Sequence, residues 1–182
     1  MKKVWRRIAV LLAIALCAAV SAGCSGNAYH AELALLRRSV DLNGYIREDF
    51  LEENRVFGAF YPLGEAEDGT ADYEQLTDES YPRERIFCIR SEEEFNGVFV
   101  LPPQELKADF QTQMLVVYTQ ACMYSRPVEI KRVEKEGEEL FILFGMEERR
   151  GVGDASMPAQ IYLFVVMDAL DVTSIACALK IG

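Results

Sequence analysis

The stretch Met114-Leu115-Val116-Val117-Tyr118 most narrows what this chain can become. It is apolar and rich in β-branched residues, and it does not alternate, which is the pattern of a central strand buried on both faces. Gln160 to Met167 repeats that pattern. Arg85 to Ile89 predicts a shorter strand, and Thr173 to Ile181 the last one. Between them Val128, Ile130 and Val133 point inward while Glu129, Lys131 and Glu134 stay wet. With Glu136-Gly137 as the turn and Glu139 to Met146 as the return, this predicts a hairpin.

Helices are expected earlier in the chain. Tyr29, Leu33, Leu36 and Val40 recur at steps of four, three and four, which predicts a helix over Ala28 to Val40 with Asn27 as its cap. Asn43-Gly44 follows as a turn. Ile46 to Asn54 can form a second, short helix, and Arg55 to Tyr61 reads as a strand ended by Pro62. Ser91 with Glu94 three residues on is a capping box that opens a helix through about Phe99, stopped by Pro102-Pro103. From Gly64 to Arg83 the residues are acidic and turn-forming, so a long surface loop is expected. Helices kept apart from a succession of strands predict one α+β domain over residues 28–182, with a mostly antiparallel sheet and two or three helices in its N-terminal half.

The first 23 residues read as an address. Lys2, Lys3, Arg6 and Arg7 precede an unbroken apolar run from Ile8 to Val20, and Ser21-Ala22-Gly23 lead into Cys24. That is the layout of a secretory signal peptide, and small residues before a cysteine resemble a bacterial lipobox. The position three before Cys24 is Ser21 where Leu is usual, with Val20 one residue earlier. A spanning helix needs roughly 20 apolar residues, more than this run offers. The resemblance implies that residues 1–23 are removed and that Cys24 carries a diacylglyceryl anchor, with residues 24–27 as lipidated end and tether. The expected location is therefore the outer leaflet of the bacterial cell membrane, or the outer membrane in a double-membrane host.

Charge sorts the partners. The full chain holds 19 basic and 29 acidic residues. Loss of the four basic residues of the leader leaves 15 basic against 29 acidic, a net charge of −14. Nucleic acid and anionic headgroups both require a basic footprint, so neither is expected as a partner.

Little in the chain is arranged for catalysis. The single histidine, His30, stands six residues after Cys24, which removes histidine-dependent triads and Cys-His pairs. There is no Cys-x-x-Cys and no Gly-x-Ser-x-Gly, and Gly151-Val152-Gly153 lacks what a phosphate loop needs. We expect no cofactor and no metal. Glu65, Glu67, Asp68 and Asp72 cluster near Gly69 but miss the EF-hand spacing, so a solvated acidic loop is preferred over a calcium site. Cys88, Cys122 and Cys177 are expected as three reduced, mostly buried thiols, with one bridge plus a free thiol as the alternative. Cys122-Met123-Tyr124-Ser125-Arg126-Pro127 combines thiol, aromatic and cation after a buried strand. Arg and Tyr are enriched in binding hot spots, which makes Tyr124 and Arg126, with Arg149 and Arg150, the candidate partner-binding residues.

From Ile89 to Leu179 the chain resembles the C-terminal domain of PrcB-like bacterial lipoproteins. The shared features are Ile89-Arg90-Ser91-Glu92-Glu93-Glu94-Phe95, Asp109-Phe110 before the strand Met114 to Tyr118, Glu129-Ile130-Lys131-Arg132-Val133, Leu140 to Phe144, and Ile161 to Val166. Where that family carries a Gly-Gly-Tyr-like turn, this chain has Ala121 to Arg126, so a contact made by that turn is not inherited. The resemblance implies a non-enzymatic accessory role, with an extracytoplasmic protein or protease complex as partner. The alternatives are a surface lipoprotein that binds a small molecule or a cation, and a small hydrolase that uses carboxylates alone, such as Asp72 or Asp109.

Overall fold

The computed structural model describes residues 29–65, 67–123, 127–146 and 158–181. In chain order the elements are β1 (Ala31–Arg38), a 3-10 turn (Ser39–Leu42), α1 (Glu48–Glu53), β2 (Ala59–Glu65), β3 (Ala71–Leu76), β4 (Glu84–Ile89), α2 (Glu92–Val98), β5 (Gln113–Met123), β6 (Val128–Glu136), β7 (Glu139–Met146), β8 (Pro158–Asp168) and β9 (Ser174–Ile181). The result is a sheet-rich single domain in which every strand pair is antiparallel except β7 with β9.

The two apolar runs lie at its centre. β5 and β8 pair from Gln113 opposite Asp168 to Met123 opposite Pro158, inside a four-stranded sheet ordered β1-β8-β5-β4. Their side chains alternate between two cores, as the pleat requires. Leu115, Val117, Tyr162, Phe164 and Val166 face a layer of helix and loop formed by Leu42, Leu51, Phe95, Phe99 and Leu106. Met114, Val116, Tyr118, Ile161, Leu163, Val165 and Met167 face the opposite way, onto Leu140, Ile142 and Phe144 of a second sheet ordered β6-β7-β9. The molecule is thus three layers deep, and the absence of alternation in β5 and β8 follows from cover on both faces. Rings tie the layers together: Tyr118 stacks on Phe144 at 5.7 Å across the sheets, and Phe99 meets Phe164 at 5.9 Å under α2.

The predicted helix over Ala28 to Val40 is instead strand β1, which pairs with β8. Its register shifts between Leu33 and Leu35. Ala31, Leu33 and Leu36 pack on the sheet-to-sheet core, while Ala34 and Leu35 pack under the helices. The bulge breaks the two-residue period, so apolar residues fall at helix-like steps. The predicted loop over Gly64 to Arg83 contains most of a β2–β3 hairpin. Among the described side chains of this ribbon only Ala59, Tyr61 and Leu76 are buried, so β3 carries almost no alternating apolar signal. Strand β2 also runs through Pro62 rather than ending there, with a register shift between Pro62 and Gly64. Proline is tolerated on an edge strand or at a bulge. The other strands and the two short helices lie where the sequence placed them. Ser91 caps α2 by accepting from the Glu94 amide at 3.2 Å, and the Glu94 carboxylate reaches back to the Arg90 amide.

One polar group crosses the helix-side core. The Gln160 amide nitrogen lies 2.7 Å from the Asn54 carbonyl, 2.8 Å from the Thr119 hydroxyl and 2.9 Å from the Tyr162 hydroxyl, all buried. The Asn54 carbonyl can only accept, which fixes the amide nitrogen on that side.

Candidate functional surfaces

Cys24, Tyr124, Arg126, Arg149 and Arg150 lie outside the described residues. The strands that lead to the latter four end together. Met123 pairs with Pro158, and Val128 with Met146. His30 is exposed, and its backbone is tied to Asp168: its amide donates to the Asp168 carboxylate at 3.0 Å, and its carbonyl accepts from the Asp168 amide at 3.1 Å.

The three thiols stand apart as free cysteines. Burial pushes Cys122 up to about 11. Burial, with Glu84 adding to it, pushes Cys177 up to about 12. Burial also raises the half-buried Cys88. A thiol needs to ionise to attack, so all three are packed as small hydrophobes.

Asp68 and Asp72 of the β2–β3 hairpin are occupied locally. Asp68 accepts from the Thr70 amide at 2.9 Å and from its hydroxyl at 2.6 Å, and these bonds hold its carboxyl below the usual range. Asp72 accepts from the Tyr73 amide, and Asp109 from the Gln111 amide and the Thr112 hydroxyl. These are turn-forming bonds. Among the described residues no group of three or more His, Cys, Asp or Glu is placed to hold a metal ion.

Two concave features lie on either side of the turn at Asn43–Ile46. Gly44 makes that turn at φ +81°, a conformation that favours glycine. One feature is an open groove of about 760 Å³, lined by Arg37, Asp41, Tyr45, Leu101, Pro102 and Lys107 among others. Beside it Val100 is 67% exposed, Leu101 62% and Tyr45 41%. The Val100 and Leu101 amides both donate to the Tyr45 carbonyl, so the three residues are held as one apolar patch. Two ion pairs lie at its rim, while Lys107 is in no ion pair among the described residues. Arg38 clamps Asp41 at 2.9 and 3.0 Å and lowers its pKa, and Arg37 meets Glu105 at 3.4 Å. In the sequence Pro102-Pro103 signals only a helix stop, so the patch is hard to see there. The available signal was an apolar pair, Val100-Leu101, placed beyond the end of a helix.

The second feature is a cavity of about 310 Å³ between the 3-10 turn, α1 and the foot of β2. Tyr61 contributes its ring, and its hydroxyl accepts the Val56 amide at 3.3 Å. Desolvation raises the Tyr61 pKa, so the phenol stays protonated.

No family model, curated protein or solved structure matches the chain.

Proposed function

We propose that this is a lipid-anchored extracytoplasmic protein that binds another protein and acts as a non-enzymatic accessory module, in the manner of PrcB-like lipoproteins. The observation that carries the reading is the patch of Tyr45, Val100 and Leu101 beside an open groove. Exposed aliphatic and aromatic residues gathered in one place mark interaction surfaces. Arg37, Asp41 and Glu105 already have partners in the molecule, so the groove offers chiefly apolar contact, with Lys107 as its one cation outside an ion pair among the described residues. The occupant is a protein segment with apolar side chains and net positive charge. At −14 the mature chain repels both anionic headgroups and a second copy of itself.

The order of β4, α2, β5, hairpin, β8 and β9 agrees with the pattern on which the PrcB-like resemblance rests. We class the domain as α+β on the same basis, since α1 and α2 both precede β5 and pack on one face of its sheet. The segment with Tyr124 and Arg126, together with Arg149 and Arg150, is proposed as a second part of the contact.

The test is the affinity for a partner co-purified from native membranes with the anchored protein. Leu101→Asp combined with Tyr45→Ala should weaken it about thirtyfold, the loss of a true hot spot. Tyr124→Ala with Arg126→Ala is measured beside it. Wild-type affinity in both double variants overturns the binding reading. Turnover of a substrate that is lost on changing Asp72 or Asp109 would establish the hydrolase instead.

A further inference from the structure

Strand β9 ends its sheet on a bare edge. It pairs with β7 from Ser174 opposite Glu139 to Ile181 opposite Met146, and among the described residues no backbone hydrogen bond joins it to any other strand. A strand paired on one side points half of its amides and carbonyls the other way, where they form a template for a further strand. Outer strands are ordinarily protected by bulges, prolines, charges or shortness. β1, β2 and β6 each carry a bulge, and β2 holds Pro62. β3 and β4 run for six residues each. β9 runs for eight without bulge or proline, and Lys180 is its one charge. Its start is held from both sides. Arg90 donates to the Leu170 and Val172 carbonyls at 2.7 and 3.3 Å, and the Thr173 amide donates to the Glu138 carbonyl at 2.9 Å. A strand fixed in advance loses little freedom when it is paired.

The register dictates what the added strand looks like. On the face turned away from the core, Glu134, Phe141 and Ala176 form one row across β6, β7 and β9, and Arg132, Leu143 and Ala178 form the next. Phe141 and Leu143 are half-buried, and beside them the sheet drops to two alanines at its edge. Arg132 covers Phe141 from the β6 side, 5.6 Å from the ring centre. From the β9 side a large apolar side chain on an added strand can lie over each alanine and reach Phe141 and Leu143. In the row beyond, Glu136 stands opposite Glu139, and Glu139 opposite Ser174. Like charges directly opposite repel, and neither carboxylate is in an ion pair among the described residues. A cation in that row relieves them. A second copy of β9, paired symmetrically, would set alanine against alanine, leave Phe141 and Leu143 open and bring its own acidic excess. We propose that β9 takes up an extended segment of a partner protein as a fourth, antiparallel strand, with large apolar side chains over Ala176 and Ala178 and a Lys or Arg beside Ser174 and Glu139. This rests on the reading that the chain binds another protein, and it states how a segment of that partner is held.

The probe is the synthetic peptide acetyl-Thr-Val-Leu-Thr-Phe-Val-Lys-Lys-amide, added to the full chain in detergent micelles. It should bind with Kd below about 1 mM and slow amide hydrogen exchange in Ser174–Ile181. Two further peptides carry N-methyl groups on alternate residues, one set odd and one set even. Alternate amides of a strand point to the same side, so one set blocks the edge toward β9 and the other does not. One methylated peptide should bind as the parent does, and the other should not bind. Ala176→Lys changes an exposed side chain and should weaken the parent peptide about tenfold, with thermal unfolding showing that the variant is folded. Leu101→Asp with Tyr45→Ala should bind the peptide as wild type does. No protection of β9 at about 1 mM peptide overturns the proposal, as does equal behaviour of the two methylated peptides or wild-type affinity in Ala176→Lys. Loss of the peptide in the groove variant places it in the groove and also overturns the proposal. Dimers that Ala176→Lys dissociates would make a second copy the occupant instead. Failure of the peptide leaves the co-purified partner and its groove variants standing, so the two readings fail separately.

Discussion

At the scale of single residues, burial of ionisable groups sets how this protein answers to alkali. Cys122 and Cys177 ionise at about 11 and 12 when folded, against an ordinary 9.0. Tyr61, Tyr118 and Tyr162 are raised in the same direction by desolvation. A raised pKa means that the folded state holds its proton after the unfolded chain has lost it. The stability these groups contribute is whole below pH 9 and is lost as pH climbs toward 12. Urea unfolding should therefore give a lower free energy at pH 10.5 than at pH 8, and Cys177→Ala should flatten part of that fall. A flat profile between these pH values would contradict the burial of the thiols. The sequence made the thiols legible as buried hydrophobes because Cys88 and Cys177 sit in apolar runs. The role of Gln160 was not legible, since its partners Thr119 and Asn54 lie 41 and 106 residues away in sequence.

At the scale of elements, β1 separates local pattern from tertiary demand. Read as a helix, its buried stripe would be Tyr29, Leu33, Leu36 and Val40. As a bulged strand, its most buried side chain is Leu35, at 4% exposure. Leu35→Ala should cost about 2–5 kcal/mol in urea unfolding, the range for an aliphatic core truncation. Leu36→Ala, at a half-buried position, should cost less. A larger loss at Leu36 than at Leu35 would restore the helix. The central strands and the β6–β7 hairpin were readable because burial on two faces, or on one, writes itself directly into a run or an alternation. The β2–β3 ribbon was not, because a strand that buries little has no reason to alternate. The candidate groove was half legible: its apolar pair was visible, but its partner Tyr45 is brought to it only by the turn at Gly44.

At the scale of the whole molecule, the anchor and the domain make separate demands. The lipid reading rests on Ser21-Ala22-Gly23-Cys24 and predicts that Cys24→Ser abolishes acylation. The variant should leave the membrane fraction, or stay there with its leader uncut. Cleavage after Gly23 with unchanged membrane fractionation would show that lipid is not the anchor. The domain, for its part, depends on contacts between distant parts of the chain. Among the described residues strand β1 pairs in its sheet with β8 alone, and Ala31 lies opposite Met167.

That pairing fixes when the protein can become compact. The first strand to emerge from a ribosome or a translocation channel has to wait for almost the last. Until Ile161 to Met167 arrive, β1 has no edge to join and β5 lacks its inner neighbour. Closing so long a loop is slow, and the early chain stays open while it waits. For the secreted protein proposed above, lateness would be an advantage, since the topology itself delays closure. A nascent chain arrested before residue 158 should be digested readily by protease, while one arrested with residues 1–182 outside the exit should resist it. Protection of the shorter chain would show that the β4–β7 segment closes without its last two strands.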